Sequence, residues 1–197
     1  MIPRSAVFID GGYMDKVLYE HGGLRVEFAR FANRTVNDQG LLRAYYYHCL
    51  PRQSPRATPE ETTAIRNKEK FFHALQFIDR FELRLGHLAY RGVDDQGQRL
   101  LEQKGVDVQM AVDILSMCYG RLLDQVVLVT GDADLVPVVQ KAKDLGVVVR
   151  LVHGDGPNSR VAERLWHACD ERLLIDREML LECQLSNAPD RDSGSDH

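Results

Sequence analysis

The chain lacks the features that would mark it as a membrane protein, a secreted protein or a general nucleic-acid coat. Its 197 residues hold 25 Lys and Arg against 29 Asp and Glu, a net charge of −4, so any contact with nucleic acid must be local. No segment reaches the roughly 18 continuous apolar residues of a membrane span, and the first residues lack a signal peptide's apolar stretch. We therefore expect a soluble, cytoplasmic protein with no membrane partner.

Two kinds of motif are also missing. The four cysteines are scattered and form no CxxC pair, which argues against a zinc site or a redox motif and favours reduced, buried thiols. No GxGxxG sequence follows the first predicted strand, so a dinucleotide-binding site is not expected. The chain shows no internal repeat.

The composition fits one globular domain, because 44% of the residues are hydrophobic and the length lies within the usual range for a single domain. We assign this domain to residues 1–185. Residues 186–197 contain almost nothing to bury, and we predict that they form a disordered tail.

Short apolar strands alternate with helices along the chain, a pattern typical of an open α/β sandwich with a mainly parallel sheet. The predicted strands are Ala6–Ile9, Leu41–Leu50, Phe81–Leu85, Gln125–Thr130, Val147–Val152 and Leu173–Ile175. The predicted helices run from Tyr13 to His21, from the N-cap Thr58 to about Asp79, from near Gly105 to Tyr119, from Leu135 to Leu145, and from the N-cap Ser159 to about Cys169. We expect a loop at Arg91–Gln98.

Aspartates follow two of the predicted strands. Asp10 ends the first strand, and Asp132 and Asp134 follow the strand Gln125–Thr130. The carboxyl ends of parallel strands meet at one edge of a sheet, so these three side chains should lie together. Crowded carboxylates favour a hard divalent cation such as Mg²⁺. Such a cation lowers the pKa of a bound water and stabilises charge on a phosphoryl group, as phosphodiester hydrolysis requires.

Each aspartate also has a purely structural interpretation. Asp10 can form a turn or cap a helix, and Asp132 or Asp134 can cap the helix that follows. Asp107 can complement the dipole of its predicted helix, and periodicity alone leaves open which edge of the sheet it reaches. Asp113 lies on a different face of that helix from Asp107, so we expect it to support the site from behind or to face solvent.

Three sequence blocks resemble the signature blocks of the NYN domain, in its LabA-like branch, within the PIN-like nuclease superfamily. They are Phe8–Tyr13, Lys104–Val108 and Thr130–Pro137, and the resemblance extends over about residues 5–176. It implies a Rossmann-like (PIN-like) three-layer α/β/α sandwich and a ribonuclease that uses Mg²⁺ or Mn²⁺. The acidic positions of the family, which are both catalytic and metal-binding, match Asp10, Asp107, Asp132 and Asp134.

The candidate RNA contacts are Tyr13, Lys104 and Thr130. Tyr13 stands where many relatives have Asn, and Thr130 stands where Ser is frequent. Lys104 could contact a phosphate or be a solvated charge at the helix end. The segment Arg52–Lys70 has a local excess of two positive charges and either guides an RNA backbone or is a solvated helix face. His153 is a substrate contact or an ordinary turn residue.

We therefore predict a metal-dependent endoribonuclease that hydrolyses RNA phosphodiester bonds. The main alternative is a catalytically inactive RNA-binding or regulatory module with the same fold. An aspartate-nucleophile phosphohydrolase is disfavoured, because Gly12 stands where that chemistry needs a second Asp. A homo-oligomer remains open.

Overall fold

The structure is a computed structural model that describes residues 3–36, 40–49, 57–93 and 99–185, with side chains left undescribed at 87–93 and 99–104. Four predictions fall wholly or partly outside this part of the chain. They are the disordered tail at residues 186–197, the loop at residues 94–98, the strand end at Leu50 and the contribution of residues 52–56 to the positively charged segment.

Seven strands form one sheet. They are β1 (Ser5–Asp10), β2 (Leu41–Cys49), β3 (Phe81–Val93), β4 (Arg99–Lys104), β5 (Gln125–Val129), β6 (Val148–His153) and β7 (Glu171–Leu174). The strand order is β4-β3-β2-β1-β5-β6-β7. The six strands from β3 to β7 in this order are parallel, and β4 pairs antiparallel with β3 at the edge.

Helices cover both faces of the sheet. They are α1 (Gly11–Glu20), α2 (Phe28–Thr35), α3 (Pro59–Leu75), α4 (Val106–Tyr119), α5 (Val136–Asp144), α6 (Glu163–Ala168) and α7 (Arg177–Glu182), and a 3₁₀ turn at Ala133–Leu135 precedes α5. One core contains residues of α4, α5 and α6, and the other contains residues of α1, α2, α3 and α7. The predicted three-layer, mainly parallel α/β/α fold is confirmed.

The alternation of side chains along β1 shows why the two cores form. Ala6 and Phe8 point into one core, whereas Val7 and Ile9 point into the other, and all four are fully buried. A strand that is apolar on both faces can lie only in the middle of a covered sheet. This pattern places β1 at the centre and Asp10 at its carboxyl end.

Two predicted boundaries were wrong. The residues at 91–93, which we expected to begin a loop, belong to β3, and this strand pairs antiparallel with β4. Helix α3 ends at Leu75, because Gln76, Phe77 and Ile78 donate to carbonyls three residues back and form tight turns. The Thr58 cap of this helix is confirmed, since its side chain accepts from the Glu61 amide.

Ser159 does not cap a helix. Helix α6 begins four residues later, after Ala162, while the buried Ser159 hydroxyl donates to Glu20 at the end of α1. The loop after β6 is therefore attached to α1. The short helices α2 and α7 were not predicted.

The cysteine prediction is confirmed in its structural part, since Cys49, Cys118, Cys169 and Cys183 are all buried and none of them forms a disulfide. None of the helices in the described ranges has the length and apolar character needed to cross a membrane.

Candidate active site at the carboxyl ends of the central strands

The register of the two central strands brings Asp10 and Thr130 together. Strands β1 and β5 are parallel neighbours, and Ile9 pairs with Val129. The next residue in each chain is therefore Asp10 on β1 and Thr130 after β5. Both leave the sheet at the edge where parallel strands end and loops begin.

Asp10 has a separate partner set for each carboxylate oxygen. Oδ1 accepts from the backbone amides of Gly12 at 2.9 Å and Tyr13 at 3.1 Å, and so caps α1. Oδ2 accepts from the Thr130 hydroxyl at 3.3 Å. The helix-cap interpretation therefore holds for one oxygen, while the other belongs to the strand-end cluster.

Thr130 links two of the aspartates. Its Oγ1 donates to Asp10 and accepts from the Asp132 amide, also at 3.3 Å. The residue is 1% exposed, so its hydroxyl acts inside the protein. The structure thus gives no support to the predicted RNA contact by Thr130 and makes it a positioning residue instead.

Asp132 and Asp134 occupy the turn after β5. Asp132 caps the 3₁₀ turn by accepting from the Asp134 amide at 2.9 Å. This result assigns the cap to Asp132. Asp134 is exposed beside it, and its carboxylate lies near the same edge.

Asp107 reaches this edge from the first turn of α4, and not from the end of a strand. The chain turns from β4 into α4 at Gly105, whose φ of 85° suits a residue without Cβ. Asp107 lies in the first turn of α4, and Val106 and Met110 are buried on either side of it in sequence. The structure thereby supplies the placement that sequence periodicity left open.

The pKa of Asp107 shows how crowded the edge is. It is raised above its ordinary value first by partial desolvation, because neighbouring protein atoms replace some of the water around this surface side chain, and second by repulsion from three other carboxylates. Those carboxylates belong to Asp10, Asp132 and Asp134. Because the Asp107 side chain is exposed at the surface, a bound cation can reach it and reverse this repulsion.

Burial also raises the pKa of Asp10, against the lowering effect of its three hydrogen bonds and of the nearby His48. The edge therefore holds the four acidic side chains of Asp10, Asp107, Asp132 and Asp134, and we call it the acidic edge. Two of the four, Asp10 and Asp107, have raised pKa values. Within the described ranges, however, no three His, Cys, Asp or Glu side chains are close enough together to hold a metal ion directly.

The other two predicted RNA contacts are Tyr13, whose surroundings the structure describes, and Lys104, whose side chain it does not describe. Tyr13 is 5% exposed, and its hydroxyl donates to the Ser159 carbonyl at 2.7 Å and accepts from the Gly154 amide at 3.0 Å. These two hydrogen bonds connect α1 to the loop after β6. They give no support to a substrate contact by Tyr13. Lys104 ends β4 opposite His87. Its side chain lies outside the described part, so its phosphate contact stays a prediction.

A polar cluster at the end of β2 was missed. His48 Nδ1 lies 2.8 Å from the Cys49 amide nitrogen and 3.0 Å from the Cys49 carbonyl oxygen, and His48 Nε2 lies 3.1 Å from the Asp15 carboxylate. Lys68 also donates to Asp15, at 2.6 Å. Burial acts to raise the pKa of Asp15, but the combined effect of His48 and Lys68 is larger and in the opposite direction. The pKa of Asp15 therefore lies below its ordinary value. The position of His48 at the end of a predicted strand was the available signal.

Asp113 and His153 each have partners of their own. Asp113 accepts from the Tyr47 hydroxyl at 2.8 Å and pairs with Arg84 at 3.4 Å. His153 is 6% exposed, shares a contact of 2.9 Å with the Gly154 carbonyl and packs edge-on against Trp166. Both therefore have structural roles in the described fold.

Comparisons with known proteins agree with this architecture. The NYN domain family model matches residues 4–176. The chain is 37% identical over 79 residues to the uncharacterized protein y4oD of Sinorhizobium fredii, covering 40% of this chain and 33% of that protein. It is 36% identical over 77 residues to the uncharacterized protein MJ0482 of Methanocaldococcus jannaschii, covering 39% and 31%. The chain thus spans about a third of the length of these curated relatives.

The fold has a counterpart among solved structures. The crystal structure of VPA0982, a protein of unknown function from Vibrio parahaemolyticus, is similar with a TM-score of 0.62 and 18% sequence identity. The match covers 89% of this chain and 94% of that one, and it shows a shared fold. The family match, by contrast, spans most of the chain and includes every aspartate of the acidic edge. The chain is a member of the NYN domain family, in the PIN-like nuclease superfamily.

Proposed function

We propose that this chain is a metal-dependent ribonuclease of the LabA-like branch, which hydrolyses RNA phosphodiester bonds at the acidic edge. In this proposal Mg²⁺ or Mn²⁺ is held by Asp10, Asp107, Asp132 and Asp134. The partner is RNA, and a homo-oligomer is compatible with the proposal.

The observation that carries the proposal is the position of Asp107. This residue comes from the start of α4, far in sequence from the two strand ends, yet its pKa responds to the charges of Asp10, Asp132 and Asp134. A fold gains no stability from gathering like charges. Their convergence at the edge where α/β proteins bind ligands is better explained by a cation that they share.

The donor set suits a hard cation, because it consists of carboxylate oxygens alone. Mg²⁺ usually keeps several waters, so the four carboxylates need not all bind the ion directly. When bound, such a cation supplies a water of lowered pKa and charge stabilisation for the phosphoryl group.

The protein's own residues prepare the carboxylates for this task. The first turn of α1 fixes Asp10 through two backbone amides, and the buried Thr130 hydroxyl orients its second oxygen. The same hydroxyl anchors the loop that carries Asp132. Asp107 and Asp134 are exposed and can adjust to a hydrated ion or to a phosphate that arrives with it.

One observation favours the inactive-module alternative. The spacing of the acidic groups, in the part of the chain that is described, is too wide for direct chelation by three of them. In that case the protein would bind RNA or a regulatory partner without cleaving it. The two functions differ in whether a divalent cation changes the RNA.

The test is cleavage of a mixed single-stranded and structured RNA pool with Mg²⁺ or Mn²⁺. We expect the wild type to cleave, and Asp10→Asn or Asp132→Asn to abolish cleavage without lowering the melting temperature, because Asn caps a helix as well as Asp. Cleavage that survives both substitutions would rule out the site. Salt-dependent RNA binding without cleavage would favour the inactive module.

A further inference from the structure

The outward face of α4 carries a continuous row of apolar side chains. Val108, Val112 and Tyr119 are each more than half exposed, and Leu122, just beyond the end of the helix, is half exposed. The partly buried Leu115 lies between them. We call these five residues the α4 stripe. Contiguous exposed apolar surface on a soluble protein usually marks a place where another molecule binds.

The opposite face of α4 is already used by the core of this chain. Val106, Met110, Ile114 and Met117 are buried there. A helix at the surface of a single domain normally presents charged and polar residues on the side that faces solvent. Helix α4 is instead apolar on both sides, and its outer side has no partner among the described residues.

The α4 stripe has the spacing of a seam between two helices. Its members follow one another at intervals of four, three, four and three residues. Side chains at alternating intervals of three and four residues stay on one line along a helix, and two helices pack along such lines. The residues that flank the stripe, Gln109, Ala111 and Ser116, are uncharged, so no charged group keeps a second helix away.

A second copy of α4 fits the stripe better than other candidates. The five side chains include no Lys or Arg, so they offer nothing to the phosphates of RNA. Residues 186–197 of the chain contain almost no apolar side chains, so this segment has nothing to bury against the stripe. A second copy presents the same apolar seam, and a two-fold axis brings the two seams together.

The charges at the two ends of the stripe favour antiparallel packing. Asp107 precedes the stripe at the acidic edge, whereas the exposed Arg121 lies at its other end. The nearby Asp124 is paired with Arg4 at 3.3 Å, which leaves a positive charge at this end. A parallel pair would bring two acidic edges together and repel. An antiparallel pair places Arg121 of each copy beside the acidic end of the other, so that opposite charges meet.

We propose that the chain forms a homodimer in which the α4 stripes of two copies pack antiparallel across a two-fold axis at Leu115. Leu115 is the midpoint of the stripe, seven residues from Val108 and seven from Leu122. In this dimer Val112 of one copy packs near Tyr119 of the other. The dimer requires neither RNA nor a metal ion, so it is independent of the proposed function.

The first test is sedimentation velocity of the full chain in metal-free buffer. Concentrations from about 1 to 200 µM are needed, because an interface formed by one helix is at the small end of stable interfaces. We expect the wild type to be mainly dimeric at the upper end of this range. A protein that stays monomeric throughout the range would overturn the proposal.

A matched pair of substitutions locates the interface. Val112→Glu should weaken the dimer more than about tenfold, because the carboxylate would lose water in the seam without gaining a partner. Tyr19→Glu makes the same change at an exposed position of α1 and should leave the dimer unchanged. A dimer that Val112→Glu does not weaken, with unchanged circular dichroism, would show that the interface lies elsewhere and overturn the proposal.

Cross-linking tests the orientation with variants that change one surface side chain each. In the antiparallel dimer the two copies of Val108 lie about 20 Å apart along the helix axes, at a rise of about 1.5 Å per residue, whereas Val108 of one copy lies next to Leu122 of the other. A short bis-maleimide should therefore cross-link a mixture of Val108→Cys and Leu122→Cys but neither variant alone. The native cysteines are buried, and the wild type is the control. Cross-linking of Val108→Cys to itself would indicate a parallel pair and overturn the proposal.

The charge pairing has its own test. Arg121→Glu should weaken the dimer by a smaller factor than Val112→Glu, and the effect should shrink as salt is added. Arg121→Lys keeps the positive charge and should dimerise like the wild type. Wild-type dimerisation of Arg121→Glu at low salt would contradict the placement of Arg121 beside the acidic end of the other copy.

Discussion

The replacement of Thr130 by Val tests whether one buried hydroxyl organises the acidic edge. Val keeps the shape of Thr but removes the donor to Asp10 and the acceptor for the Asp132 amide. Both contacts are 3.3 Å long, at the weak end for hydrogen bonds, so we place the combined loss at about 2 kcal/mol. For a chain of this size that lowers the melting temperature by about 4 to 8 °C.

The functional consequence should exceed the loss of stability. Residues that orient metal ligands typically change metal affinity by about 10- to 100-fold when they are removed, and we expect Mn²⁺ affinity in Thr130→Val to fall by a factor in that range. The pKa of Asp10 should rise further, because the lost hydrogen bond lowers it. Thr130→Ser keeps the hydroxyl and is the control. Calorimetry that finds wild-type Mn²⁺ affinity in Thr130→Val would refute this reasoning.

Three further predictions concern stability. Tyr47→Phe should cost about 1 to 2 kcal/mol by urea unfolding, since it removes the donor to Asp113, whereas Tyr46→Phe should cost nothing or stabilise, because it removes an orphan hydroxyl; equal losses would contradict this. Asp107→Asn should stabilise the metal-free protein increasingly as pH rises from 3 to 7. The Asp107 carboxyl has a raised pKa in the folded state, so the free energy of unfolding of the wild type falls as this group ionises. Parallel profiles of stability against pH for the two proteins would argue against the repulsion. Mn²⁺ at about 100 times its Kd should stabilise the wild type by about 2.7 kcal/mol in thermal melts but should stabilise Asp132→Asn far less.

The central strands could be predicted because a strand that is buried on both faces consists of a continuous run of apolar residues. β1 and β5 are apolar on both faces, as only interior strands of a covered sheet can be, and this alone predicted that Asp10 and Asp132 share an edge. Asp107 was different. It follows a predicted loop and not a predicted strand, so no periodicity connected it to the sheet, and only the family resemblance suggested its position.

Other features depend on tertiary contacts that no local pattern carries. Ser159 has the sequence of a helix cap, yet its hydroxyl bonds Glu20, which lies far away in the chain. Thr130 and Tyr13 were expected at the substrate because they stand where members of the resembling family often have Ser and Asn. Both instead point into the protein, where Thr130 links two aspartates and Tyr13 braces the loop after β6.

The different environments of two neighbouring tyrosines on β2 were not predicted. The aromatic run at Tyr45–Tyr47 predicted a strand, but each of its tyrosines looks equivalent in the sequence. Only the fold distinguishes the Tyr47 hydroxyl, which Asp113 accepts, from the Tyr46 hydroxyl, which has no partner within the described residues.

The most direct test of the account is RNA cleavage by Asp107→Asn in the presence of Mn²⁺. Asp107 is the residue that joins the acidic edge from a separate part of the chain, and its side chain is exposed, so the substitution should leave the fold intact. The account predicts that the wild type cleaves single-stranded RNA and that Asp107→Asn does not, with a melting temperature in metal-free buffer at or above that of the wild type. Undiminished cleavage by Asp107→Asn would contradict a shared cation site at this edge.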